Sequence, residues 1–261
     1  MVHNRFHIRF SLSALKNWLD GELFSLKIVR PLTQNVNRPE NKIRRAEYLE
    51  SFFQNRSNGR TMIWIDETNF NLFCRRNEGR SKIGSRAAVV LPSCKGANLH
   101  CIGAITDSQI VHFTTRLGAF KAENCNLWFE DLIVACANQG IDQPTFIVDN
   151  APAHARLERV LEQYENVQIL RLAPHSYLLN PIELFWSAIK YHIKRGIRQN
   201  MEELSQIQRN GNVGIAEQHT RFLENLAVDS IRQVTGRMLA GFVNHVEKYY
   251  PTVMRQEDLK E

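Results

Sequence analysis

Residues 61–68, TMIWIDET, are β-branched, aromatic and apolar at almost every position. Such a run suits a strand covered on both faces rather than one with a wet side. A chain that contains it must build a sheet with a layer on each side, which excludes an all-helical bundle. Within this strand stands Asp66, an acid that is costly to bury unless it is paired or holds a metal. The strand signals continue at FNLFCR (70–75), AAVVLP (87–92), LHCIGAIT (99–106) and QIVHFTTR (109–116), the last two separated by Asp107–Ser108, a hairpin signal. The period then alternates. A helix is expected over 121–138, with Leu127, Phe129, Leu132, Ile133 and Cys136 as its apolar members. A strand follows at TFIVD (145–149), then a charged helix over 154–164, a strand at VQILRL (167–172) and a helix over 181–195. An antiparallel opening followed by strand–helix alternation predicts an α/β fold, a mixed sheet flanked by helices.

Before residue 60 the texture differs. SLSALKNWLD (11–20) has helical spacing, with Ser11 or Ser13 as its cap, and Gly21 ends it. Residues 30–43 read as a linker with two Pro and three Asn, and a second helix is expected over 44–53. Residues 200–250 are mostly helical. The domain expectation is therefore 1–43, 44–199 and 200–261. At 261 residues and 43% apolar content the chain can bury a core, and no apolar run is long enough to span a membrane. Five Cys without a C-x-x-C spacing fit free thiols in a reducing compartment better than a disulfide or zinc framework. The first 60 residues hold 11 of the 33 Lys and Arg but only 5 of the 27 Asp and Glu, so residues 61–261 carry 22 of each. The whole basic excess lies in the N-terminal quarter, as in an arm that meets a polyanion, although a solvated leader has the same composition.

Three acids stand where a sheet of this kind presents ligands: Asp66, Asp149 at the end of its strand, and Glu183 in the first turn of its helix. Carboxylates at strand ends face the crevice where such sheets bind, and as hard oxygen donors they suit Mg²⁺ or Mn²⁺. Each has a plainer reading. Asp149 begins Asp-Asn-Ala-Pro, good turn chemistry. Glu183 falls at the third helical position if Asn180 caps and Pro181 leads, which is a capping box. Glu67 points to the opposite sheet face from Asp66 by alternation and is not counted among the ligands. Positions 183, 187, 190 and 194 share one helical face, so Lys190 and Lys194 lead away from Glu183. Arg75, Arg76, Arg80, Lys82, Arg86 and Lys95 form a second basic strip, and both strips suit a phosphate backbone. His154 and His175 flank two of the acids, as phosphate contacts or as satisfied structural groups.

IDETNF (65–70), VDNAPAH (148–154) and PHSYLLNPIELFWSAIK (174–190) together resemble the three signatures of the DDE transposases of the mariner superfamily, over roughly residues 40–195. The resemblance implies a ribonuclease-H-like five-stranded mixed sheet and a metal-binding catalytic triad of Asp66, Asp149 and Glu183. Asn150, Asn180 and Pro181 would shape the site, and Arg75, Arg76, Arg80, Lys82, Arg86, His154, Lys190 and Lys194 would contact DNA. It further implies two Mg²⁺ ions, with Mn²⁺ as substitute, transposon ends and target DNA as partners, paired subunits, and a nuclear location in a eukaryotic host or a cytoplasmic one otherwise. The chain departs from the family where Tyr177-Leu178 replace a Pro-Asp pair, and 33 residues separate Asp149 from Glu183, one fewer than is commonest. Only about sixty residues precede Asp66, so the first 43 read as the remnant of a helix-turn-helix region. Two other readings stay open: a DNA-binding or interaction module left from an inactive element, and an RNA-cleaving relative.

Overall fold

Strand β1 (Thr61–Phe70) is the middle strand of the sheet. In the computed structural model, residues 11–22, 35–74, 81–88, 91–92, 94–118, 122–154, 157–207 and 213–259 are described. Contacts divide the chain into Met1–Gln34 and Asn35–Glu261. In the first unit, helix α1 (Leu12–Gly21) is capped by Ser11, whose Oγ accepts from the Ala14 amide at 3.0 Å, and it exposes Leu12, Leu15 and Trp18.

The second unit opens with α2 (Pro39–Ser57), which begins inside the expected linker because Pro39 takes the first helical turn. After β1 come β2 (Leu99–Ile105), β3 (Ile110–Leu117), α3 (Ala122–Asn138) and β4 (Pro144–Val148). A 3₁₀ turn (Pro152–His154), α4 (Leu157–Leu161), β5 (Gln168–Arg171) and a second 3₁₀ turn (Tyr177–Leu179) lead to α5 (Ile182–Gln199). Four helices follow: α6 (Met201–Gln206), α7 (Ile215–Arg232), α8 (Gly236–Glu247) and α9 (Tyr250–Met254).

The five strands form one mixed sheet in the order β3-β2-β1-β4-β5. β1 pairs antiparallel with β2 and parallel with β4, and β4 pairs parallel with β5. Alternation along β1 divides the core. Ile63 and Ile65 pack with Phe129, Leu132 and Cys136 of α3, while Met62 and Trp64 pack with Phe185, Trp186 and Ile189 of α5. Leu223, Leu239, Val243 and Tyr250 join that second cluster, so α7–α9 share the core of β1 and α5. The last described residues of the second unit are fastened back to its first ones. Asn37 Nδ2 donates to the Leu259 carbonyl at 3.2 Å, the Leu259 amide donates to Asn37 Oδ1 at 3.0 Å, and Lys42 pairs with Asp258. Among the described residues no helix is long and apolar enough to cross a membrane.

Several expectations change. FNLFCR is not a second strand: β1 runs on to Phe70, and Asn71 then turns the chain, its Oδ1 accepting from the Phe73 amide at 2.9 Å. Residues 87–88 and 91–92 of AAVVLP are irregular, and 89–90 lie outside the described residues. The helix expected over 154–164 is reduced to Leu157–Leu161, since Pro152–His154 form a 3₁₀ turn. On α3 the buried stripe is Cys125, Trp128, Phe129, Leu132 and Cys136, which leaves Leu127 exposed off that face.

Gly103 of β2 pairs with Asp66, and a Cβ there would stand 3.0 Å from the Trp186 ring. The indole is itself walled in by Phe185 and Phe113. Gly103→Val is expected to destabilise the fold by roughly 1–3 kcal/mol, measurable by urea denaturation; an unchanged midpoint would mean that α5 does not need this close approach.

Candidate active site

β1 and β4 run in parallel register through Trp64↔Ile147, and β4 ends at Val148. Continued by two residues, that register sets Asp66 beside Asp149. Asp66 shares the Trp64 face of the sheet, beneath α5, and Glu183 lies in the first turn of that helix. Three elements thus bring three carboxylates to the carboxyl end of the parallel strands, where open α/β sheets bind ligands. The acids feel one another. Burial, and then repulsion by Glu183, pushes Asp66 from 3.8 up to about 7, with Glu67 and Asp149 adding to the repulsion against a backbone hydrogen bond at Glu67. Burial also raises Glu183; Lys190 counters this and Asp149 reinforces it.

Asp149 moves the other way. Its hydrogen bond with His154 holds its pKa down, aided by the Ala151 amide and the charge of Arg171, against the cost of burial. Both hydrogen bonds land on one oxygen: Oδ1 accepts from the Ala151 amide at 2.9 Å and faces His154 Nδ1 at 3.0 Å. Oδ2 takes no hydrogen bond among the described residues. The loop around Asp149 is pinned from β5. Arg171 donates from Nη1 to the Asp149 carbonyl at 3.0 Å and from Nη2 to the His154 carbonyl at 2.6 Å, while its guanidinium pairs with Glu158. Asn150 donates to the Leu172 carbonyl at 2.7 Å.

The donor set fits divalent Mg²⁺ or Mn²⁺. It is all carboxylate oxygen, burial and then mutual repulsion disfavour the charge of two of its members, and a cation would relieve both. Behind it, Glu67, Cys125 and His154 place their donor atoms within 4.8 Å of one another.

The residues expected at the site are distributed as follows. Asn180 does not cap α5: Pro181 occupies the N-cap position without a side-chain bond, which puts Glu183 one position earlier than a capping box requires. Asn180 is buried, and its Oδ1 has no partner among the described residues. Tyr177-Leu178 enter a 3₁₀ turn closed by Leu179 N–H on the Ser176 carbonyl at 2.9 Å. His175 is exposed and holds a left-handed backbone with φ 56°. Lys190 and Lys194 are half-buried and close enough to Cys74 to oppose the rise that burial gives its pKa. Lys82, Arg86 and Lys95 are exposed on the loop between β1 and β2; Arg75, Arg76 and Arg80 lie outside the described residues. His154 is a correction. Its side chain is 0% exposed and lies between two carboxylates, so it offers nothing to DNA. Sequence reasoning passed over Glu67 and Arg171. Glu67 does point to the opposite face, as alternation requires, and there its Oε1 meets His154 Nε2 at 2.9 Å. An arginine inside the apolar run VQILRL was the available signal for Arg171.

Asp66 holds its proton more tightly in the folded chain than in the unfolded one. Between pH 3.8 and about 7 the folded state therefore binds a proton that the unfolded state has lost, and stability falls as pH rises through that window. Asp66→Asn is expected to stabilise the metal-free protein at pH 8 by roughly 2 kcal/mol and to flatten this dependence. Urea unfolding at pH 5 and pH 8 checks it; equal slopes for both proteins would contradict the repulsion.

Comparison with known proteins agrees with this geometry. No curated protein matches the chain. Among solved structures it is similar to the Mos1 transposase paired-end complex with the left transposon end, with TM-score 0.70 at 14% identity over 100% of this chain and 74% of that one. It is also similar to the Mos1 mariner paired-end complex with Mn (TM-score 0.66, 14% identity) and to the complex with Mg (TM-score 0.65, 17% identity), each with the same two coverages. These likenesses give the fold, the ribonuclease-H-like sheet of the Mos1 catalytic domain. The family model described as "DDE superfamily endonuclease" matches residues 61–208, which include all three acids. The chain belongs to the DDE superfamily of endonucleases.

Proposed function

We propose that this chain is a mariner-type DNA transposase that cuts and joins phosphodiesters at Asp66, Asp149 and Glu183. The observation that carries the reading is the convergence of these acids, two of them raised by burial and repulsion, at the carboxyl end of β1 and β4. When bound there, two Mg²⁺ or Mn²⁺ ions would stabilise the attacking and leaving oxygens of an in-line displacement at phosphorus and activate the nucleophile. The chain's own residues do the rest. Asp66 is fixed in register by β2, Asp149 by His154 and Arg171, and Glu183 by the first turn of α5. Lys190 and Lys194 beside Glu183, with Lys82 and Arg86 on the β1–β2 loop, are the groups to hold the phosphate backbone, joined in this reading by Arg75, Arg76 and Arg80. Transposon ends and target DNA are the proposed partners. Paired subunits are part of this reading, which the likeness to the Mos1 paired-end complex supports.

Purified protein is expected to nick supercoiled DNA with Mg²⁺ or Mn²⁺ and not with EDTA, and Asp149→Ala to abolish nicking. If wild type and Asp149→Ala are equally inert with both metals, the enzymatic reading fails; salt-sensitive DNA binding that survives loss of the acids would then mark a non-enzymatic binding module. Preferential cutting of an RNA–DNA hybrid would point to the RNA-cleaving relative. Lys190→Ala and Lys194→Ala should each weaken binding uniformly across sequences and lower the slope of log affinity against log salt by about 1. Filter binding at several salt concentrations measures this, and unchanged slopes would remove this helix face from the interface.

A further inference from the structure

We propose that Glu67 and His154 are positioning residues for the active site: Glu67, acting through His154, holds Asp149 so that its Oδ2 stays directed to the metal-binding side. The proposal rests on the metal-binding role given above to Asp66, Asp149 and Glu183.

The two nitrogens of His154 face two carboxylates, Nδ1 to Asp149 Oδ1 at 3.0 Å and Nε2 to Glu67 Oε1 at 2.9 Å. Each ring nitrogen meets a carboxylate oxygen at hydrogen-bond distance, so the ring's orientation is fixed at both ends. The ring is enclosed, with the Phe129 ring edge-on at 6.3 Å, and its own carbonyl is gripped by Arg171. On the other side Glu67 is steadied by the Cys125 thiol, 3.5 Å from the same Oε1. The imidazole is thus a rigid strut between β1 and the loop after β4.

The strut has a direction. The His154 donor and the Ala151 amide both take Oδ1 of Asp149, which leaves Oδ2 for a ligand. Neighbouring residues of β1 divide the work by alternation: Asp66 reaches the α5 face as a ligand, and Glu67 reaches the α3 face to hold the strut that sets the other ligand. Outer partners of this kind commonly change metal affinity 10- to 100-fold when removed.

The test is Mn²⁺ binding by the full chain without DNA, followed by electron paramagnetic resonance of the free ion, with thermal melting in parallel. His154→Ala is expected to weaken Mn²⁺ binding tenfold or more in protein that remains folded. His154→Asn keeps a donor near the Nδ1 position and should recover much of that loss, while the isosteric Glu67→Gln should weaken binding by a smaller factor. Should His154→Ala fail to fold, Glu67→Gln and His154→Asn carry the comparison alone. Melting temperatures that fall while Mn²⁺ affinity stays at the wild-type value would overturn the proposal and leave a purely structural network. Wild-type protein that binds no Mn²⁺ would overturn the metal reading itself, and this proposal with it.

Discussion

Three carboxylates that repel one another are held together by the backbone pairing of the elements that carry them. The parallel register of β1 on β4 places Asp66 next to Asp149, and α5 delivers Glu183 over the same sheet face. Left alone, such a group of acids would separate or protonate, and the raised pKa of Asp66 records how burial, and then the nearby Glu183, disfavour its charge. The stabilising free energy comes from elsewhere: the apolar clusters on both faces of β1, and the helices α7–α9 that extend one of them. The site is the part of the structure that the core supports at a cost.

The support differs on the two sides of the site. Asp66 and Glu183 are set by regular elements and are raised. Asp149 sits at the start of an irregular loop and is lowered, because the loop surrounds it with donors. Arg171 makes that loop rigid by binding two of its carbonyls and the Glu158 carboxylate at once, a use of the planar guanidinium that lysine could not copy. A carboxylate on a loop thus becomes as well placed as one on a strand.

Much of this was legible in the residues. The strands at 61, 99, 109, 145 and 167 announce themselves by β-branched density, and an acid inside or at the end of two of them is conspicuous because burial makes it expensive. The five-stranded sheet and the family follow from the same motifs. What stayed hidden depends on partners far apart in sequence. Alternation places Glu67 away from Asp66, but only the fold brings His154 to it across 87 positions. Beyond Phe70, the described residues of FNLFCR and AAVVLP have strand composition without strand neighbours, and Asn71 turns the first of them. Leu127 is apolar and exposed, since the helical stripe that packs is set by Cys125 and Trp128.

The bond pair between Asn37 and Leu259 has a consequence for the order of folding. It joins residues 222 positions apart, so the entropy of closing that loop is met only when the sheet and all the helices between them have already brought the two ends together. It is therefore a contact of the last stage. Hydrogen exchange at the Leu259 amide would report release of this segment from Asn37, by local opening or by unfolding of the body, whichever costs less.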